Sequence, residues 1–166
     1  MATPGDIWRI PAHDATQYGS RLIGNIFSDR RFTFPKSLFA VKDCLYFFTA
    51  NKPNALVVDF FAGSGTTLHA VNLLNAEDDG HRRCIMVTNN EVSADEAKML
   101  KDKGYQPGDA EWEKLGIAHY VTWPRTVCSI KGQDVNGNPL KGDYLGSEPP
   151  MHMADGFKAN AAFFKL

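Results

Sequence analysis

The residues of this 166-residue chain best suited to chemistry are Asp59, Phe60, Phe61, Ala62, Gly63, Ser64, Gly65, Thr66 and Thr67, followed at a distance by Glu91. Two glycines one residue apart let a backbone turn sharply and leave no Cβ to collide with a bound molecule. Asp59 can accept hydrogen bonds from an amino group or a water. Glu91 follows a second short apolar run, Cys84 to Thr88, and a carboxylate at that place suits a ribose because it accepts from both hydroxyls at once. A glycine turn with an acid one strand later is the pattern of a nucleoside ligand.

These residues need elements to hold them. Residues 1 to 35 keep neither a helical nor an alternating period and read as an irregular lead-in. Pro35 pushes Phe34 toward extended geometry, and Leu38, Val41, Leu45 and Phe48 then follow helical spacing, predicting a helix over 37–49. Ala55 to Phe61 is a continuous apolar run, short and β-branched, expected as a strand buried on both faces in a parallel sheet. A helix from Thr66 to Asn75, a solvated turn over 77–83 and a second buried strand over 84–88 complete a right-handed crossover unit. Ser93 with Glu96 is a capping box opening a helix to about Lys103, and a short helical piece runs to Leu115. Ile117 to Trp123 reads as extended, and Asn136-Gly137 reads as a hairpin turn. The chain thus divides into a lead-in (1–35), an α/β core (36–125) and a hairpin with C-terminal extension (126–166), whose apolar end is unusual for a complete domain.

The kind of nucleoside is narrowed by what is missing. A phosphate-binding P-loop has Lys-Ser or Lys-Thr after its glycines, whereas Gly65 is followed by Thr66-Thr67 with no basic residue before Arg82. A dinucleotide fingerprint places a third small residue where Leu68 stands. What remains is a ligand with base and ribose but no pyrophosphate, and a positive or zwitterionic end near Asp59. S-adenosylmethionine fits that description. The plainer reading is a tight strand-to-helix connection, with Asp59 and Glu91 only capping helices.

Composition excludes little but orders the remaining options. Eighteen Lys plus Arg against nineteen Asp plus Glu give a net charge of -1, so bulk electrostatics do not impose a polyanion. Three cysteines without a C-x-x-C pair fit neither a disulfide scaffold nor a zinc knuckle, and a reducing cytoplasm is the natural compartment. No apolar run is long enough to span a bilayer, so a membrane is not expected as a partner. His69, His81 and His119 lack metal spacing and read as core or surface residues. Arg30-Arg31 and Arg82-Arg83 read as solvated turns.

Phe61-Ala-Gly-Ser-Gly-Thr66, preceded by Asp59-Phe60, resembles the Phe-x-Gly-x-Gly-Thr motif of amino-group DNA methyltransferases. Phe32-Thr-Phe-Pro-Lys-Ser37, the Leu-Asn-x-x-Asp-x-Gly run ending at Gly80, and Val87-Thr-Asn-Asn-Glu-Val-Ser93 are similar to the cofactor half of adenine-specific, type III Mod-like methylases. The resemblance covers about residues 28 to 130. It implies a Rossmann-like S-adenosylmethionine-binding domain with a partly parallel sheet, an incomplete methyltransferase fold ending in a β-hairpin. It also implies that Phe61, Ala62, Gly63, Ser64 and Gly65, with Asp59, Phe60 and Thr66 around them, line the methionine and ribose. Glu91 would take the ribose hydroxyls, Lys36 and Ser37 the cofactor carboxylate at a helix start, and Phe34 or Phe61 would pack on the adenine or sulfonium.

In that family a catalytic Asp-Pro-Pro-Tyr or Asn-Pro-Pro-Tyr accepts hydrogen bonds from the target amine and stacks on the flipped base. No such tetrapeptide occurs in this sequence, and Glu148-Pro-Pro-Met151 reads as a proline loop, so no catalytic residue is assigned. The implied function is the cofactor-binding portion of a DNA adenine methyltransferase of a restriction-modification system. Its expected partners are DNA, a catalytic and target-recognition segment or subunit, and a restriction subunit. A non-catalytic binding or assembly module, or a methyltransferase for a substrate other than DNA, stay open beside it.

Overall fold

Ser37 opens the first long helix because its side chain accepts from the Ala40 N–H at 3.4 Å, the geometry of an N-cap. In the computed structural model, which describes residues 9–29 and 31–165, that helix is α2, Leu38–Thr49. It is preceded by α1, Arg21–Phe27, and followed by β1, Leu56–Asp59, α3, Thr66–Asp78, and β2, Arg83–Met86. The short helices α4, Ala94–Asp102, and α5, Ala110–Glu113, come next, with the expected Ser93 and Glu96 capping box in place at α4. A π-helical turn, Ala118–Thr122, runs into α6, Trp123–Lys131, and the chain closes with β3, Asp143–Tyr144, and β4, Met151–His152.

β1 and β2 pair in parallel, Val58 opposite Ile85, with α3 as the crossover. The fold is therefore a mixed α/β one with a small parallel sheet, as the alternation of apolar runs and helical periods predicts. The expectation that these strands are buried on both faces is not met: Leu56 and Ile85 are each 50% exposed. The register puts Leu56, Val58, Phe60, Ile85 and Val87 on one face, and all five are exposed. Alternate residues Val57, Asp59, Cys84 and Met86 are half-buried. Burial of Cys84, with Asp59 nearby, pushes its thiol up to about 12, so it is an inert neutral group.

The core lies among the helices. Leu22, Ile23, Ile26 and Phe27 of α1 pack with Leu38 and Phe39 of α2, Ala70 and Leu73 of α3, Val121, and Cys128 of α6. Each large apolar side chain of this set contributes roughly 1.5–3 kcal/mol by leaving water. The segment read as an irregular lead-in thus provides a core helix; residues 1–8 and 30 of it lie outside the described residues, as does Leu166 of the terminal apolar run. A π-helical turn, Thr16–Ser20, runs directly into α1, and Gly19 in that turn with Gly24 inside α1 hid the apolar face from the sequence pattern.

Two further expectations are corrected. The residues 117–123 are helical rather than extended, and α6 carries the helix on to Lys131. Its buried residues are Arg125, Thr126, Cys128 and Ser129, with Thr122 buried just before it, so apolar periodicity could not reveal it. Asn136-Gly137 does make a tight turn, closed by Asp134, but only the isolated bridge Gln133 to Pro139 flanks it. The antiparallel pair is β3 with β4, joined by the loop that holds Pro149 and Pro150.

Candidate functional site

β1 ends at Asp59, and its direction is kept for three more residues by the neighbouring chain. Val87 N–H donates to the Asp59 carbonyl at 2.7 Å, and Ala62 N–H donates to the Val87 carbonyl at 3.1 Å. The Asp59 carboxylate then closes the turn itself. One oxygen accepts from Phe61 N–H at 2.9 Å and the other from the Thr67 hydroxyl at 2.6 Å. Asp59 is thus a turn-former, with one remaining lone pair on each oxygen for a ligand.

Gly63 has φ +51° and Gly65 φ +78°, both in the left-handed region where a side chain is strained. The two glycines meet different needs. A Cβ on Gly63 would make only ordinary contacts, with the Phe61 carbonyl oxygen at 3.7 Å and the Phe32 ring at 4.0 Å, so no neighbour presses on this glycine. A Cβ on Gly65 would stand 3.3 Å from Thr122 Cγ2 and 3.4 Å from the Thr122 carbonyl oxygen, so this glycine admits the helix behind it.

The side chains of the turn segregate accordingly. Phe61 is 92% exposed and Phe60 is exposed too, while Ala62, Ser64, Gly65 and Thr66 are buried. The side chains of Ser64 and Thr66 turn inward: Arg125 Nη1 donates to the Ser64 hydroxyl at 3.0 Å, the Ser64 carbonyl at 3.3 Å and the Thr66 hydroxyl at 2.7 Å. Thr122 donates to the Gly63 carbonyl at 2.6 Å. Backbone, the Phe60 and Phe61 rings and the remaining lone pairs of Asp59 are left to meet a ligand there.

Glu91 stands past the end of β2, exposed, with Asn89 donating to its carboxylate at 3.3 Å. β1 and β2 are adjacent and parallel, so the glycine turn and the loop bearing Glu91 leave the same end of the sheet, the end where open α/β folds bind ligands. At the start of α2, Lys36 is exposed and Phe34 is 83% exposed; both line a cleft of about 830 Å³ with Arg21, Gly24 and Phe32. Ser37 is different. It is buried, and its hydroxyl donates to the Ala12 carbonyl at 2.8 Å while capping α2, so the hydroxyl is occupied within the fold.

A family model described as DNA methylase matches residues 2–126, about three quarters of the chain. The chain belongs to that N6/N4-type DNA methylase family. Among curated DNA methylases and their kin, it is 40% identical over 78 residues to the type II methyltransferase M.KpnI of Klebsiella pneumoniae, covering 45% of this chain and 18% of that one. It is 37% identical over 89 residues to the Mod subunit of the type III restriction-modification enzyme EcoPI of Escherichia phage P1, covering 54% of this chain and 13% of that one. The StyLTI Mod subunit of Salmonella typhimurium is likewise 37% identical, over 91 residues, 55% of this chain and 14% of that one. The chain therefore spans less than a fifth of the length of these relatives.

Several residues around this candidate site were not legible as such. Arg125 and Thr122 make no motif and nothing in their spacing marks them, while Asn90 lies in the 87–93 stretch, which gives it no role of its own. Arg82, read as part of a solvated turn, is buried: it donates to the Thr49 carbonyl at 2.9 Å and to both Asp78 oxygens at 2.8 and 2.7 Å. His69 is a core residue, as expected, its ring bonded to the Tyr144 hydroxyl at 2.8 Å. Among the described residues no group of three His, Cys, Asp or Glu is placed to hold a metal, and no helix is long and apolar enough to cross a membrane.

Proposed function

We propose that this chain is the S-adenosylmethionine-binding portion of a DNA methyltransferase that methylates the exocyclic amine of adenine in a restriction-modification system. The observation that carries the reading is the turn at Gly63. It is a left-handed turn in which no neighbour stands closer than 3.7 Å to where a Cβ would be, flanked by an exposed Phe61 and an exposed Glu91, at the end of a parallel strand pair where open α/β folds bind ligands. Membership of a DNA methylase family implies the same methyl donor, and a Rossmann-like arrangement of the whole domain belongs to the proposal.

The residues present fit an adenosyl ligand. The backbone from Phe61 to Gly65 binds it along the bare edge of the turn, with Asp59 and Thr66 fixing the turn's two ends and Phe60 beside it. Glu91 accepts from the two ribose hydroxyls. Lys36 and the free N–H groups of the α2 N-terminus, which Ser37 caps, hold a carboxylate, and Phe34 and Phe61 offer ring faces. The cofactor supplies, when bound, a methyl group on a sulfonium, whose transfer to an amine releases a neutral thioether.

The acceptor side is proposed to come from a catalytic and target-recognition segment or subunit, with DNA and a restriction subunit as further partners, in a reducing cytoplasm. Two observations support that division: no Asp-Pro-Pro-Tyr or Asn-Pro-Pro-Tyr occurs in the sequence, and the face formed by Leu56, Val58, Phe60, Ile85 and Val87 is apolar and uncovered. They equally favour a second reading, a cofactor-binding module that is not itself catalytic.

Calorimetric titration with S-adenosylmethionine tests the site. Binding is expected for the wild type and is weakened in Glu91→Ala; no heat with the wild type, or equal affinity in the variant, removes the cofactor claim. A methyl-transfer assay on unmethylated DNA, with the chain alone and with the product of a neighbouring reading frame, separates the two readings. Transfer only in the mixture supports the divided enzyme, and transfer in neither supports the binding module.

A further inference from the structure

The helix that follows the two βα units touches both halves of the proposed site from behind. At its start, Ala118 N–H donates to Asn90 Oδ1 at 3.1 Å, which satisfies a first-turn donor that a helix cannot pair internally, and His119 N–H is shared between Asn90 Oδ1 at 3.3 Å and the Gly116 carbonyl at 3.1 Å. The amide nitrogen of Asn90 donates to the carbonyl and to the carboxylate of Glu113, each at 2.8 Å. The next residue is held by its backbone: Ile117 N–H donates to the Glu91 carbonyl at 2.8 Å. Gly116 packs so closely on Asn90 that a Cβ there would lie 2.1 Å from the Asn90 Cγ. Thus the backbone of Glu91 is fixed on both sides while its carboxylate stays exposed.

One turn further along, Thr122 donates to the Gly63 carbonyl and touches the bare side of Gly65. One turn beyond that, Arg125 gathers the Ser64 carbonyl and the Ser64 and Thr66 hydroxyls on a single nitrogen. Arg125 is 0% exposed and, among the described residues, makes no ion pair and has no hydrogen-bond partner for its Nε and Nη2. A buried guanidinium without a carboxylate is costly, and an apolar residue of similar volume would fill the space more cheaply. What an apolar residue could not do is hold a carbonyl and two hydroxyls of one turn in fixed relation.

We propose that the helix from Ala118 to Lys131 is a brace that sets the geometry of the adenosyl site, with Asn90 positioning Glu91 and with Thr122 and Arg125 positioning the glycine turn. The proposal rests on the reading of the site given above. It makes two separable assignments, because the ribose contact hangs on the start of the helix and the turn on its middle.

The test is calorimetric titration of the whole chain with S-adenosylhomocysteine and with its 2′,3′-dideoxyribose counterpart, for the wild type, Asn90→Ala, Thr122→Val, Arg125→Met and Arg125→Lys. Asn90→Ala is expected to lose about tenfold in affinity for the hydroxyl-bearing ligand and almost nothing for the dideoxy one, the pattern of a lost carboxylate-to-ribose contact. Thr122→Val and Arg125→Met are expected to lose about tenfold for both ligands, and Arg125→Lys recovers part of that loss by keeping a donor. A merely structural role for Asn90 would lower both affinities together, so equal losses in Asn90→Ala, or wild-type affinity in Thr122→Val, overturn the brace. Should Asn90→Ala not fold, Asn90→Asp keeps the acceptor toward Ala118 and His119, loses the donors toward Glu113, and is judged by the same ratio. If the wild type binds neither ligand, it is the reading of the site that fails instead.

Discussion

Asp59 and Thr67 stand on opposite ends of the glycine turn and share a hydrogen bond of 2.6 Å, hydroxyl to carboxylate, while the other oxygen of Asp59 takes the Phe61 N–H. The acid at the strand end is therefore first a clasp on the turn, and any role toward a ligand is added to that. Asp59→Ala leaves a backbone N–H and a hydroxyl without their acceptor, and hydrogen bonds to a charged group contribute about 1.5–3 kcal/mol each at most. A loss of about 1–3 kcal/mol in urea unfolding is expected, with Thr67→Val losing less.

Gly65→Ala tests the other end of the turn. The backbone at φ +78° strains any side chain, and the new methyl meets Thr122 at 3.3 Å. Destabilisation of about 1–3 kcal/mol is expected, measured by urea midpoint, and the double variant Gly65→Ala with Thr122→Ser, which removes the opposing methyl, recovers part of it.

His69 makes stability depend on acid. Burial, with Arg125 nearby as the lesser cause, holds its ring well below the ordinary histidine range, so the folded protein keeps it neutral. In the unfolded chain the ring takes up a proton below about pH 6.5, and the unfolded state then binds more protons than the folded one. The stabilisation is complete above that pH and is lost as pH falls, at up to about 1.4 kcal/mol per unit. Urea midpoints between pH 7 and pH 5 should fall in the wild type and stay flatter in His69→Gln. His152, raised by its Asp143 partner, acts in the opposite sense, favouring the folded state in acid and losing that effect as pH rises through its folded value, so His152→Gln should steepen the fall.

Arg82 joins the end of α2 to the end of α3. Its guanidinium holds the Thr49 carbonyl and both oxygens of Asp78, and its own backbone pairs with Asn75 at 3.0 and 2.9 Å. Arg82→Met strands the Thr49 carbonyl and frees Asp78, which stays partly in water, so a loss of about 2–4 kcal/mol is expected by thermal or urea unfolding. Arg83, exposed on the strand beside it, should tolerate the same change within about 0.5 kcal/mol.

The bare sheet face predicts behaviour of the isolated chain. Five large apolar side chains in one plane exceed what scattered surface residues explain. Val58→Lys with Ile85→Glu is expected to reduce dye binding and self-association in light scattering, and, under the divided-enzyme reading, to abolish transfer in the mixture with the partner while leaving S-adenosylmethionine binding intact.

Much of the molecule was legible because it obeys local rules. The caps at Ser37 and Ser93, the strand-turn-helix passage through Gly63 and Gly65, and the parallel pairing implied by two short apolar runs are all set by neighbours in sequence. Helix α6 was not legible because its buried face is largely polar, Arg125, Thr126 and Ser129 with Thr122 just before it, and the partners of Thr122 and Arg125 lie about 60 residues upstream in the glycine turn. Arg82 misled for the same reason: next to Arg83 it looks like a solvated pair, and only the approach of Thr49 makes it a core residue.

The sequence by itself determined the turn, the acid one strand later and the family, since these depend on residue types at short fixed spacing. Which atoms of that turn face outward was decided by tertiary structure alone. Ser64 and Thr66 turn inward because a guanidinium lies beneath them, and Gly65 is bare because Thr122 presses on it. Hydrogen bonds between distant segments have no period and leave no pattern in the chain, so their consequences become visible only once the helices are packed.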